Sequence, residues 1–223
     1  MTTVAIMQPY FIPYAGYFRL FAASDLFVIY DCVQFPRRGW VHRNQLVDKA
    51  GVSRWLTLPL AKAPQDVLIR DLRFAQDAPA EMQERLARFM LGADSEAVSE
   101  IIGAVRSLGS TPVEHIVDLL RRVAGYLELP WNVVRSTALD VPASLHGQDR
   151  ILEIARRVGA TRYVNAPGGR DLYDPAAFAE AGIALGFLPD YAGPTSSILT
   201  RIIAESRDAL AADIRRQSGA AVS

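Results

Sequence analysis

The spacing of apolar residues changes character several times along the chain. Val4-Ala5-Ile6-Met7 is a short continuous apolar run that stops at Pro9, and residues 17–23 space their apolar positions helically. Leu26-Phe27-Val28-Ile29-Tyr30 is a near-continuous β-branched and aromatic run, the pattern of a strand buried on both faces. The first 30 residues therefore predict a βαβ unit. After the turn composition Pro36-Arg37-Arg38-Gly39, residues 40–46 and 54–59 alternate. They predict two strands joined around Lys49-Ala50-Gly51, with a further short strand over 67–74. From about 79 to 129 the pattern is helical, and Thr111-Pro112-Val113-Glu114 has the form of a capping box with proline at the first helical position. Two or three helices are expected there. The last third predicts strand 132–136, helix 149–158 stopped by Gly159, strand 161–165, helix 175–181 stopped by Gly182 and strand 183–188. A final helix after Asp208 is expected to fray by Gly219.

Strands alternating with helices imply an α/β fold with a Rossmann-like, mostly parallel sheet, here carrying a small antiparallel insertion near 36–74 and the helical segment about 79–129. At 223 residues the chain is expected to form one unit over 1–223. In such sheets ligands sit beyond the carboxyl ends of the strands. Three segments then meet at one edge: residues 8–18 after the first strand, Asp31 and its followers after the second, and Asn165-Ala166-Pro167-Gly168-Gly169-Arg170 after a late one.

Composition narrows the classes. Lysine plus arginine equals aspartate plus glutamate at 24 each, which removes a global electrostatic argument for nucleic acid. Half the residues are hydrophobic, but no apolar run is long enough for a membrane span. The chain enters Val4 without a basic n-region, so no secretory signal is visible and a cytoplasmic location is expected. Cys32 is the single cysteine, which excludes an intramolecular disulfide and a multi-thiolate zinc site, while His42, His115 and His146 are scattered. Neither a metal nor a cofactor is expected.

The candidate chemistry starts at QPYFIPYAGYF, residues 8–18. A strand-to-helix turn is usually small and polar. This one offers Gln8, Tyr10, Tyr14 and Tyr17, read either as the floor of a site or, with Phe11 and Phe18, as an aromatic plug. Asp31 stands where open α/β sheets place catalytic or ligand-holding acids; the competing reading is a turn aspartate. Cys32 as nucleophile, with His42 as base and Asp31 orienting it, competes with a small core residue. Arg38 and Arg43 beside Trp40 have the chemistry to hold a phosphate or carboxylate while the indole stacks on a ring, or else form a solvated rim. Gly168 and Gly169 can present backbone N–H groups to an anion, or simply turn the chain, and Asn165 ahead of them joins the binding set. Trp55 and Trp131 are assigned to the core.

Residues 5–18 (AIMQPYFIPYAGYF), 27–35 (FVIYDCVQF) and 39–44 (GWVHRN) closely resemble the WbqC-like family, and WLTLP, GGRD, EAGI and SIL extend the match over most of the chain. The resemblance implies a transferase of surface-polysaccharide or specialised-metabolite assembly that modifies an amino sugar or a carrier-bound intermediate. Family members usually carry a second aspartate in place of Cys32 and asparagine in place of His42. The implied scheme is acyl or aminoacyl transfer to a small-molecule amine, with an acyl or peptidyl carrier protein as donor. Asp31 or His42 acts as base, Gln8 and Asn44 orient the carbonyl, and Gln34 joins the binding set. The order strand, P-x-x-x-P-Y-A-G-Y, helix, strand also resembles nucleotidyltransferases with an H-x-G-H motif and pantothenate synthetase. Tyr14-Ala15-Gly16-Tyr17 lies where those histidines would be, and neutral phenols cannot supply their positive charge. A nucleotide-sugar enzyme and a non-catalytic binding or scaffold protein are the alternatives.

Overall fold

β1 (Thr3–Met7) is the axis of the molecule, paired in parallel with β2 (Leu26–Ile29) on one side and with β6 (Arg162–Asn165) on the other. This is a computed structural model, and it describes residues 1–219 and the backbone of 221–222. Beyond β2 lies β5 (Val133–Arg135) and beyond β6 lies β7 (Ala184–Phe187), both parallel. A two-residue strand, β8 (Ala221–Val222), pairs antiparallel with β7 and completes the order β5-β2-β1-β6-β7-β8. The chain works outward from β1 through β2 to β5, then crosses back to β6 and β7. The reversal between β1 and β6 is the switch point at which doubly wound sheets open a crevice.

Alternation along each strand divides the core into two layers. Val4, Ile6, Val28 and Tyr163 face α5 (Gly147–Arg157) and α6 (Pro175–Glu180), with the Tyr163 and Phe178 rings stacked at 5.6 Å. Ala5, Phe27, Ile29 and Val164 face the other way, where α1 (Ala15–Ala22) lays Phe21 on Phe27 at 4.1 Å and Trp131 backs Phe21 at 5.4 Å. The helical segment comprises α2 (Ala78–Leu86), α3 (Glu96–Arg106) and α4 (Pro112–Tyr126). Thr111 caps α4 by accepting from the Glu114 N–H at 3.3 Å, as the capping-box pattern predicts.

The insertion is a hairpin, β3 (Arg43–Val47) with β4 (Ser53–Thr57), in register Gln45 to Trp55. Two expectations are corrected here. Residues 67–74 form no strand: they make isolated bridges, Gln34 to Leu68 and Leu60 to Phe74, around a 3-10 turn at Ile69–Asp71, because their backbone groups are taken by loops on different sides. Trp55 is 43% exposed, since the hairpin turns Leu46 and Leu56 to the core and leaves Trp55 on its outer face. A helix unforeseen in the sequence, α7 (Ile198–Ala204), precedes α8 (Arg207–Arg216).

Two histidines lie in apolar surroundings. His115 sits between the Phe11 and Phe74 rings, and burial lowers its pKa to about 4. His42 lies edge-on to Phe35 at 4.9 Å; burial, then the neighbouring Arg43 charge, lowers it likewise to about 4. An unfolded histidine titrates near 6.5, so between pH 6.5 and 4 the unfolded chain binds more protons than the folded one. The stability these sites hold is therefore complete above pH 6.5 and is lost as pH falls towards 4. Urea midpoints at pH 7.5 and 5.0 should show a marked drop in the wild type and a smaller one in His42→Leu/His115→Leu; an equal drop in both would sink the assignment.

Candidate functional site

A cavity of about 600 Å³ opens at the switch point between β1 and β6. Its floor is the aromatic turn: Gln8, Tyr10, Tyr14 and Tyr17 border it, and Trp40 closes one side. The local sequence explains the arrangement. Tyr17 packs on Tyr10 at 5.4 Å and donates its hydroxyl to the Gln8 carbonyl at 2.8 Å, which holds the turn against α1. The Tyr14 ring folds back over Gly16, where a Cβ would come within 2.2 Å of Tyr14 Cε2, so only glycine fits beneath it. Across the cavity stand Asn165, Gly168 and Gly169, with Tyr173 behind them.

Among the described residues, no aspartate, glutamate, lysine, arginine or histidine borders this cavity. Its titratable groups are phenols, and burial raises the pKa of Tyr10, Tyr14, Tyr17 and Tyr173, which keeps them neutral donors. The backbone adds further donors. The first turns of α1, at Gly16, and of α5, at Gly147 and Gln148, border the cavity. Neither N-cap residue, Tyr14 or His146, caps its helix with its side chain, whereas α3, α4, α6, α7 and α8 are each capped by serine, threonine or aspartate. In α1 the Tyr17 N–H donates to the Tyr14 carbonyl at 3.0 Å, and the Ala15 and Gly16 N–H groups have no capping side chain, which leaves them to meet a ligand's oxygen atoms.

The other candidates lie elsewhere. Asp31 is wholly buried, and both its oxygens are occupied: Arg135 Nε donates at 2.5 Å, Ser136 Oγ at 2.9 Å and the Thr137 N–H at 3.2 Å. Cys32 is half-buried beside it; its N–H donates to Ser136 Oγ and its carbonyl accepts from Arg150. His42 lines a separate hollow with Phe35, Leu58 and Leu72, its Nδ1 buried without a hydrogen-bond partner. Among the described residues no hydrogen bond joins the side chains of Asp31, Cys32 and His42 to one another, and none of the three borders the main cavity. Asn44 is buried and clasps the turn from below, donating to the Phe11 and Ile12 carbonyls. Gln34 donates to the Gln65 carbonyl at the surface, Arg38 is exposed, and Arg43 lies over Trp55 on the hairpin. Three polar cavity residues went unnoticed in the sequence: Tyr30 follows β2 within FVIYDCVQF, where Asp31 draws the attention, while Gln148 opens α5 and Tyr173 follows the glycine pair.

Gly169 carries a direct prediction. A Cβ there would come within 2.4 Å of Asn165 Nδ2, so Gly169→Ala must push the Asn165 amide out of place. We expect a melting temperature within a few degrees of wild type but at least a tenfold loss of affinity for a cavity ligand, on the order of 1.4 kcal/mol or more. Unchanged affinity in calorimetry would show that Asn165 does not contribute.

A doubly wound, mostly parallel sheet with an aromatic and amide-lined crevice at its switch point makes this an α/β protein of the Rossmann-like class. The model of the WbqC-like protein family matches residues 8–195, and the chain belongs to that family. It is similar to "Uncharacterized protein Rv1507c" of Mycobacterium tuberculosis (strain ATCC 25618 / H37Rv), with 28% identity over 199 residues that span 86% of this chain and 84% of the relative. No solved structure matches it. No helix is long and apolar enough to cross a membrane, and no grouping of His, Cys, Asp and Glu suited to a metal occurs among the described residues.

Proposed function

We propose that the protein is a transferase that binds a small amine in the switch-point cavity and acylates it from a thioester donor. The observation that carries the reading is the cavity lining: phenols, amides and helix-start N–H groups with no charged side chain. Such a surface suits a neutral, hydroxyl-bearing ring such as an amino sugar, whose faces stack on Tyr10 and Tyr14 while Gln8 and Asn165 take its polar edges. It also favours the reactive form of the nucleophile. An amine with a pKa of about 7.7–8 is partly neutral at physiological pH, and an uncharged site gives its cation nothing to pair with.

In the proposed step the amine nitrogen attacks the thioester carbonyl, a C–N bond forms and the C–S bond breaks. The nitrogen gives up its proton and the thiol leaves with it. The Ala15 and Gly16 N–H groups at the start of α1 and the side-chain amides of Gln8 and Asn165 are the donors offered to the oxyanion. The acceptor's own basicity replaces a general base, so Asp31 and His42 have no part in this scheme. The test incubates the protein with acetyl thioesters and a panel of amino sugars and follows amide formation by mass spectrometry. Turnover should rise about tenfold per pH unit below the amine's pKa and then level off. Asn165→Ala and Gln8→Ala should each cost tenfold or more in kcat/KM, and Cys32→Ala should be neutral. No amide from any pair, or a Cys32→Ala variant that is dead yet folded, removes the reading.

A second reading is favoured by the strand order itself, since sheets wound in this way commonly hold nucleotides at the switch point. Micromolar binding of a nucleotide sugar without amide formation would select it.

A further inference from the structure

The chain's zero net charge conceals a local imbalance. Residues 36–75 hold eight of the 24 lysines and arginines against three aspartates. Arg54 and Arg70 have carboxylate partners, Asp48 and Asp71, but among the described residues none pairs with Arg37, Arg38 or Arg43. Two of these are nevertheless held in place. Arg37 Nη2 donates to the Ala63 and Pro64 carbonyls, both at 2.7 Å. Arg43 donates to the Arg38 and Gly39 carbonyls at 2.7 and 3.3 Å and lies over the Trp55 ring, 4.3 Å from its centre. Trp55 in turn packs on Trp40 at 5.2 Å, and both indoles are more than two-fifths exposed. Trp40 is shared: it borders the main cavity and also an adjoining hollow of about 340 Å³.

A guanidinium fixed by backbone carbonyls and stacked on an indole has lost little further freedom to give up on binding, and without a carboxylate its charge is unspent. The cavity beside it offers no charge at all. The two surfaces meet at Trp40 and are complementary to the two halves of one molecule, an uncharged ring and an anionic ester.

We propose that Arg43, stacked on Trp55 beside Trp40, and the exposed Arg38, whose carbonyl Arg43 holds, form a phosphate subsite, so that the cavity's ligand is a phosphate ester whose uncharged head lies among the tyrosines. The proposal rests on the cavity reading above and adds the substrate class. A phosphate of this kind is supplied equally by a nucleoside diphosphate or by a phosphopantetheine arm, so both are used as probes.

The experiment measures binding of uridine diphosphate, pantetheine 4′-phosphate and glucosamine to the full chain by calorimetry and by tryptophan quenching. The wild type, Arg38→Ala and Arg43→Ala are compared at 50 and 300 mM salt. At least one phosphate ester should bind the wild type and weaken tenfold or more in each variant and at the higher salt, while glucosamine binds all three proteins alike. Whichever ester binds more tightly identifies the source. Arg38 is exposed and its side chain makes no hydrogen bond or ion pair among the described residues, so its variant separates lost binding from any loss of hairpin packing in Arg43→Ala. If neither ester binds, or if either binds both variants as tightly as the wild type, the subsite is overturned. Glucosamine binding then decides the cavity reading separately: retained, the cavity stands without the phosphate; absent, the cavity reading falls on its own.

Discussion

Asn44→Ala is expected to lower unfolding free energy by about 2–4 kcal/mol and to abolish ligand binding in the switch-point cavity. The Asn44 amide is 2% exposed and fully engaged: Nδ2 donates to the Phe11 carbonyl at 3.1 Å and the Ile12 carbonyl at 2.7 Å, and Oδ1 accepts from the Gln45 N–H at 2.7 Å. What it holds is strained. Ile12 has φ of +39°, a left-handed conformation that costs a β-branched residue about 1–3 kcal/mol. Ser197 Oγ donates to the same Ile12 carbonyl at 2.8 Å, and the Pro13 carbonyl accepts from the Ile198 N–H at 2.8 Å. The hairpin and the start of α7 thus clamp the aromatic turn from two sides. Without Asn44 the Phe11 carbonyl is left buried and unpaired, and Ile12 can relax, carrying Tyr10 and Tyr14 with it. Asn44→Asp is the sharper control, because a carboxylate has nearly the same shape but cannot donate to two carbonyls. Both variants should lose stability in urea denaturation and lose the ligand in calorimetry. An Asn44→Asp protein of wild-type stability would refute the clamp.

Asp31→Ala should be about as damaging to stability, roughly 2–4 kcal/mol and on the order of 10 °C in melting temperature. The carboxylate ends β2 and ties it to the 3-10 turn at Ser136–Ala138, which follows β5. Its removal leaves the buried Ser136 hydroxyl and the half-buried Thr137 N–H without their acceptor. Arg135 is one-third exposed and regains water when freed, which keeps the cost below that of stranding a buried cation. Asp31→Asn keeps two of the acceptor contacts and should lose about half as much. A catalytic aspartate would behave differently: Asp31→Asn would then stop turnover at an unchanged melting temperature, and that result would displace the structural assignment.

Much of the architecture is legible in periodicity. The runs at Val4-Ala5-Ile6-Met7 and Leu26 to Tyr30 are apolar at every position because both faces of a central parallel strand are covered, and helix stops at Gly159 and Gly182 coincide with backbone of positive φ. Where the apolar pattern was satisfied by loops instead of a ladder, as over 67–74, period alone misleads. Trp55 shows the same limit: a large aromatic residue in an alternating strand reads as core, but a two-stranded hairpin has only one face to bury.

Local sequence determined that a turn of tyrosines and prolines would follow the first strand and that a glycine pair would follow a late one, because each depends on neighbours a few residues away. The rule that ligands sit beyond the strand ends predicted that Gln8, Tyr14, Asn165 and Gly169 meet at one edge, as they do, but it placed Asp31 there too; only the tertiary structure decided that Asp31 turns inward to Arg135 and Ser136. The strand order places β1 beside β6 across some 160 residues of chain, and β2 beside β5. A carboxylate at the end of a strand faces a ligand or a neighbouring strand according to which strand lies next to it. That is settled by long-range pairing, on which the residues around position 31 carry no information.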